Sequence, residues 1–259
     1  MKYILFLVFL FNLPSLCNAQ KNQILLDNYY NNEVKGKTEQ SYHYLWDDEK
    51  STGFSEFGKL FREEGFTLSS LKLKPNKQNL KDAKVYIIVD PDNNQEAIKP
   101  NFMDAKTAII IADWVKYGGT LLILANDFNN CDLDSLNLLA TKFDLKFNKD
   151  ALYQEKPKLG KFRNFDSCSF VNLPDNQFFK GVGKIFIKGL SSISCKNAAT
   201  PVLKDKENII IAQATYGKGK VVAIGDPWLY NEYIGHYSLP TEFNNQQAAR
   251  NLVEVLTTK

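Results

Sequence analysis

Apolar runs alternating with amphipathic stretches set the order of elements along this chain. Gln23–Asp27 opens as a short apolar strand. Gly53–Glu64 has helical spacing, with Phe54, Phe57, Leu60 and Phe61 on one face and Ser51 or Thr52 as its cap. Phe66–Leu73 reads as a second strand, and Val85–Val89 as a buried third one that ends in Asp90-Pro91-Asp92. Asp104–Tyr117 is an amphipathic helix stopped by Gly118-Gly119, followed by the fully apolar strand Thr120–Ala125 and a helix over Leu133–Phe143. Strands that are apolar throughout and alternate with helices belong to a parallel sheet covered on both faces.

From Asp144 the pattern changes. Short runs such as Ile185–Ile187 and Ser191–Ser194 alternate with Gly and Asn, which predicts an antiparallel excursion near 145–215. Ile209–Ala214 turns through Tyr216-Gly-Lys-Gly219 into Lys220–Ile224, a hairpin, and Asn244–Leu256 closes the chain as a helix. With no repeat, low-complexity tract or linker, residues 20–259 are expected to form one α/β domain.

The first nineteen residues stand apart. A basic start, an apolar run from Tyr3 to Leu13 and a small polar exit ending at Ala19 have the form of a secretory signal peptide, too short for a permanent anchor. Lipidation at Cys17 is the rival, but Leu16 is bulkier than that processing accepts. The chain is therefore expected to be exported to the periplasm with no membrane span. Three cysteines remain after cleavage, Cys131, Cys168 and Cys195. In an oxidising compartment one pair could bridge, Cys168 with Cys195 before the others, and the chain carries either three partly buried thiols or one pair and a spare.

Charge and motifs narrow the chemistry. Against 32 basic residues stand 29 acidic ones, a balance that excludes a nucleic-acid footprint. There is no G-x-S-x-G elbow and no Walker A motif, and Gly181-Val-Gly183 lacks the rest of a dinucleotide fingerprint. Asp132-x-Asp134 and Asp90-x-Asp92 lack further ligands nearby, so no metal site is expected, and Lys72, Lys74 and Lys77 read as a solvated face. In parallel sheets ligands sit outside the carboxyl ends of the strands. Four apolar strands here end in Asp27-Asn28, Asp90-Pro91-Asp92, Asn126-Asp127 and Gly225-Asp226. Between Asn28 and Thr52 lies a long irregular segment carrying Tyr29, Tyr30, Tyr42, His43, Tyr44 and Trp46, too aromatic for disorder. That segment and Trp228–Tyr233 leave from the same edge.

Several of these segments resemble a domain-of-unknown-function family often fused behind unsaturated uronyl hydrolases in polysaccharide-degrading bacteria. They are Asp27-Asn-Tyr-Tyr-Asn-Asn-Glu33, Tyr42-His-Tyr-Leu-Trp-Asp-Asp48, Ser51-Thr-Gly-Phe-Ser55, Tyr86-Ile-Ile-Val-Asp-Pro-Asp92, Ile111-Ala-Asp-Trp-Val-Lys-Tyr-Gly-Gly119, Asn126-Asp-Phe128 and Gly225-Asp-Pro-Trp-Leu-Tyr-Asn-Glu-Tyr233. The resemblance implies a flavodoxin-like sheet similar to class I glutamine amidotransferases but without their cysteine nucleophile. It also implies, as for free-standing secreted members associated with ulvan breakdown, an oligosaccharide dehydratase. Such an enzyme removes water from a non-reducing-end glucuronic or iduronic acid and leaves the 4,5-unsaturated residue that unsaturated uronyl hydrolases cleave.

Residue roles come from the chemistry, not from the resemblance. Abstraction of the C5 proton and loss of the C4 hydroxyl need a base, an acid and donors for the developing dianion. His43, Tyr44 or Tyr230 is expected as base or acid, with Asp226 and Glu232 as alternative acids. Asn126, Asn231 and a lysine would hold the carboxylate, and Trp46 and Trp228 would stack on the rings. Tyr30, Asp90 and Asp127 complete the expected substrate-binding set, and His236 reads as structural. The expected ligand is an anionic oligosaccharide, the expected cofactor none, and a metal requirement is left open. A non-catalytic glycan-binding module and a structural partner of a uronyl hydrolase are the alternatives.

Overall fold

The computed structural model describes residues 22–36, 40–156, 163–235 and 237–258. The expected signal segment and His236 lie outside the described residues. In chain order the strands are β1 Gln23–Asp27, β2 Thr67–Leu71, β3 Ala83–Val89, β4 Thr120–Leu124, β5 Leu145–Phe147, β6 Ser169–Phe170, β7 Ile185–Phe186, β8 Ile193–Cys195, β9 Ala199–Asp205, β10 Asn208–Tyr216 and β11 Gly219–Ile224. The helices are α1 Ser55–Glu63, α2 Lys77–Leu80, α3 Ala105–Lys116, α4 Leu133–Ala140, α5 Asn231–Ile234 and α6 Asn245–Thr257.

One sheet runs β2-β1-β3-β4-β11-β10-β8-β5, with β9 paired to β10, and β6-β7 form a separate ladder. The first five strands are mutually parallel. Their order is the doubly wound 2-1-3-4 with β11 in the fifth place, so the sheet reverses direction of winding between β1 and β3. The β10–β11 hairpin pairs Tyr216 with Gly219 at its tip, as the turn sequence predicts, and β5, β8 and β9 make the antiparallel excursion.

Strand side chains alternate between two cores, which is why these strands carry no polar face. Ile24, Leu26, Val85, Ile87, Leu122 and Ile224 pack with the α1 residues Phe57 and Phe61 and the α6 residues Ala249 and Leu252. Leu25, Tyr86, Ile88, Leu121, Ile123 and Ala223 pack with Ile111 and Val115 of α3 and Leu136 of α4. Side chains cap α3 and α4, where Asp104 accepts from the Thr107 amide at 2.8 Å and Asp132 from the Ser135 amide at 3.3 Å, whereas α1 starts after Phe54 with no side-chain cap, so neither Ser51 nor Thr52 serves it. Helix α4 is shorter than its apolar pattern predicts because the chain tightens into a 3₁₀ turn at Thr141–Phe143 and leaves it through Asp144 in a left-handed conformation.

The Cys168–Cys195 bridge left open by the sequence is not formed. Both thiols are free: Cys168 lies buried and donates to the Tyr153 carbonyl, while Cys195 ends β8. Among the described residues no helix is long and apolar enough to cross a membrane.

Candidate active site

The sheet reverses its winding between β1 and β3, the place where such sheets take ligands at their carboxyl edge, and the chain spends its irregular segments there. Asp27, at the end of β1, is fully buried and folds the exit loop back: it accepts from the Tyr29 and Tyr30 amides at 3.1 and 2.6 Å and from the Tyr86 hydroxyl. The loop that follows reaches β3, where Asn31 Nδ2 donates to the Asp90 carbonyl at 2.9 Å and the Asn32 amide to Asp92 at 2.6 Å. It then returns through His43 and Tyr44, both at positive φ, 59° and 50°.

These turns aim Tyr44 at the end of β3. Its hydroxyl donates to Asp90 Oδ2 at 2.6 Å and lies 3.0 Å from the Tyr230 hydroxyl, which arrives from the segment after β11. Asn126, from the end of β4, donates to the same Asp90 oxygen at 3.0 Å. The sequence-predicted residues Tyr44, Asp90, Asn126 and Tyr230 thus meet, from four separate parts of the chain. Asp226 lies close enough to Tyr230 and Asp90 for their charges to interact. His43 stands at the outer side, its ring 5.6 Å from that of Tyr44, and its Nδ1 pairs with Glu33 Oε2 at 2.6 Å. That bond leaves Nε2 as the outward-serving nitrogen.

Burial dominates the electrostatics. It pushes the Asp90 carboxyl up to about 8 despite the Tyr44 and Asn126 bonds, which pull the other way. The neighbouring Asp92 rises to about 7 and Glu96 to about 9, again by burial first and then by the mutual repulsion of carboxylates. Asp226 is raised well above the usual carboxylate range, and the Tyr44 and Tyr230 phenols well above theirs, all chiefly by burial. One carboxyl oxygen each of Asp90 and Asp226 is buried without a hydrogen-bond partner. Burial thus brings the Asp90 carboxyl into the range where it can take up or release a proton near neutral pH, and its partners stand at hydrogen-bond distance.

Other expected site residues serve the fold instead. Trp46 is buried among Phe54, Phe57 and Phe61, and its Nε1 donates to the Ser69 carbonyl at 3.1 Å, so it has no free face for a sugar. Trp228, 2% exposed, plugs the core beneath the last parallel strand. Tyr30 belongs to the opposite core, its hydroxyl on Met103 Sδ. Asn231 is fully buried and spends its amide on the loop before α1, bonding Asp48 and Lys50 carbonyls, Ser55 Oγ and the Glu56 amide. Asp127 holds its own turn and Gln154. Glu232 is tied to Arg163 at 3.4 Å, away from the Tyr44 cluster's short contacts.

Sequence reasoning did not single out Glu33, which pairs with His43, or Glu96, whose charge acts on Asp90 and Asp92. Glu33 ends the same Asp27–Glu33 segment that carries the aromatic loop, and a carboxylate near a lone loop histidine is the signal that finds it. Surface clefts flank the loop: one of 620 Å³ bounded by Asn32, Val34, Glu96 and Ile98, another of 460 Å³ bounded by Tyr42, Leu45 and Asp48.

No protein-family profile and no curated protein matches this chain. Solved structures do share its fold. The N-terminal domain of mmIFT52 superposes with a TM-score of 0.69 at 17% identity, covering 92% of this chain and 98% of that one. Cytoplasmic protein STM3548 from Salmonella typhimurium gives 0.58 at 16% identity over 91% and 97%. Cytoplasmic protein STM1381 from Salmonella typhimurium LT2 gives 0.56 at 13% identity over 90% and 97%. The α/β fold with its mostly parallel sheet is shared with these proteins; at such identities the likeness reaches no further than the fold.

Proposed function

We propose that this protein is an oligosaccharide dehydratase, acting on the non-reducing-end glucuronic or iduronic acid of ulvan-type oligosaccharides and leaving a 4,5-unsaturated uronyl residue. The observation that supports it is the Tyr44 hydroxyl held between Asp90 and Tyr230 at 2.6 and 3.0 Å, beside the His43–Glu33 pair. Elimination needs two proton-transfer groups facing one sugar edge, and this cluster offers two that are independently wired.

In this mechanism the reacting form has Asp90 ionised: the half-buried Tyr230 oxygen takes the C5 proton while its own phenolic proton passes to Tyr44, and that of Tyr44 to the Asp90 carboxylate, which ends protonated. The C5–H electron pair becomes the C4–C5 double bond. The C4–O bond breaks, and the departing hydroxide takes a proton from the His43 imidazolium and leaves as water. Atoms and electrons balance without an oxidant or reductant. General acid–base catalysis of this kind contributes about 10²–10⁴-fold in rate.

Backbone strain favours this activity over a passive glycan-binding surface. His43, Tyr44 and Asp90 all sit at positive φ, 59°, 50° and 42°, and touch one another in sequence or through a hydrogen bond. Each such residue costs on the order of 1–3 kcal/mol, and strain of that kind collects where geometry must be held for chemistry. The export signal read in residues 1–19 would place the reaction in the periplasm, upstream of unsaturated uronyl hydrolases.

Incubation with saturated uronyl-terminated oligosaccharides, followed at the unsaturated-uronate ultraviolet band, tests the activity. A rising band with loss of one water by mass supports it. A flat trace across ulvan, rhamnogalacturonan and glucuronan fragments overturns it.

A further inference from the structure

We propose that Lys188 is the cation that receives the substrate's uronate carboxylate and so sets the preference for a terminal uronic acid over a neutral sugar. Lys188 in this role presupposes the dehydratase site described above and supplies the group that chemistry still lacks. Abstraction of a proton next to a carboxylate builds a second negative charge, and the relay of Asp90, Tyr44 and Tyr230 is itself anionic or neutral. The one cation of the proposed mechanism, His43, is committed to the leaving hydroxyl, so the carboxylate needs a cation of its own.

The backbone holds Lys188 at the right edge. Residues 187–191 lie across the ends of β4 and β11: the Asp127 amide donates to the Gly189 carbonyl at 3.1 Å and the Ser191 amide to the Gly225 carbonyl at 3.1 Å. Gly189 turns the strip at a φ of +58°, and Gly225 admits it, since a Cβ there would stand 2.1 Å from the Ser191 carbonyl oxygen. This approach sets Lys188 beside Asp226, the buried carboxyl with one unpartnered oxygen, on which the lysine charge acts directly. Asp226 in turn adjoins Tyr230 and Asp90.

The lysine also has capacity to spare. Its side chain is 35% exposed, and its ion pair is a long 3.5 Å contact with Glu155 Oε2. Glu155 is already held in a fork by Arg163, with Nε and Nη2 each at 3.0 Å. Arg163 spends its remaining donors on the Tyr233 hydroxyl at 2.9 Å and Glu232 at 3.4 Å, and its guanidinium lies over Phe165. Arg163 therefore anchors Glu155, Glu155 restrains Lys188, and the lysine ammonium retains donors for an incoming carboxylate. Asp226, Glu155 and the Cys168 thiol are the titratable groups that interact with it.

Calorimetric titration of the full chain with a glucuronyl-terminated and a glucosyl-terminated oligosaccharide of equal length tests this without requiring turnover. Lys188→Met is expected to weaken uronate binding about 10- to 100-fold, the value of one charged hydrogen bond, and to leave glucosyl binding unchanged. Lys188→Arg is expected to keep the preference. In wild-type protein labelled with ¹⁵N-lysine, the Lys188 ammonium signal should move with the uronyl ligand and stay still with the glucosyl one, a readout that survives poor folding of the Met variant. Equal uronate affinity in wild type and Lys188→Met, or an unmoved ammonium signal, overturns the assignment. Uronate binding that depends on Lys188 but yields no unsaturated product would instead overturn the dehydratase activity and leave Lys188 as a carboxylate ligand.

Discussion

The Tyr44 hydroxyl donates a 2.6 Å hydrogen bond to Asp90 across 46 positions of sequence, and both residues hold the bond from positive φ, 50° and 42°. Two strained backbones that meet in one short contact fix its geometry to within the tolerance that proton transfer needs. Tyr44→Phe keeps the ring packed against Phe54 and removes only the proton carrier. Turnover is expected to fall about 10²–10⁴-fold, while urea unfolding shifts by only about 1 kcal/mol. Steady-state kinetics beside urea denaturation checks both halves.

Stability should fall as pH rises. Burial raises Asp27 to about 6, Asp92 to about 7 and Asp90 to about 8, each from 3.8 in an open chain. The folded protein then binds protons that the unfolded chain has released. The resulting stabilisation is complete below 3.8 and is lost progressively until about 9, where Glu96, raised by burial from 4.5, loses its proton last. Asp104, lowered to about 2 chiefly by its bond to Lys74, acts in the opposite sense and below that window. The thermal midpoint should therefore decline across this range, and Asp90→Asn should flatten the decline. A midpoint that climbs between pH 4 and 8 contradicts the burial argument.

Asn231 should prove structural. Its buried side chain joins the start of α5 to the segment from Asp48 to the first residues of α1 through four part-buried bonds of 2.8 to 3.0 Å. Asn231→Ala leaves the Asp48 carbonyl and the Glu56 amide without their partner, while the Lys50 carbonyl keeps the Gly53 amide, for a loss of about 2–4 kcal/mol. The urea midpoint should fall with an unchanged denaturant slope, since the unfolded surface stays the same.

Strand identity was legible because both sheet faces are buried, so apolar runs such as Tyr86–Val89 and Leu121–Leu124 carry no competing pattern. The site was half legible by the same logic. Asp90 and Asn126 follow from the rule that polar strand ends share one edge, and Tyr44 and Tyr230 from aromatic segments leaving it. What composition could not separate was a ring that faces solvent from one that fills the core: Trp46 and Trp228 differ from Tyr230 only in what packs around them. Asn231 misled for a related reason, since an amide that ties two loops together reads like one that holds a ligand. Arg163 and Lys188 were hidden in the irregular region after Asp144, where no period marks which side chains face the sheet edge.

Glu33 should matter for turnover and hardly at all for stability. Its 2.6 Å contact with His43 Nδ1 is a part-exposed pair, 25% and 17% accessible, in which solvent screens most of the attraction. Removing it should move the unfolding free energy by less than about 1 kcal/mol. In the mechanism we propose, catalysis depends on a different property of the pair: the carboxylate would fix the imidazole with Nε2 towards substrate and steady the ring while it carries the proton for the leaving hydroxyl. Glu33→Gln keeps an oxygen for the Nδ1 proton but not the charge, and Glu33→Ala removes both. Turnover should accordingly fall in steps, with Gln between wild type and Ala, while KM for the oligosaccharide stays within a few-fold if the loss is confined to the transition state. A Gln variant as active as wild type would remove the charge of Glu33 from the mechanism and leave His43 oriented by geometry alone.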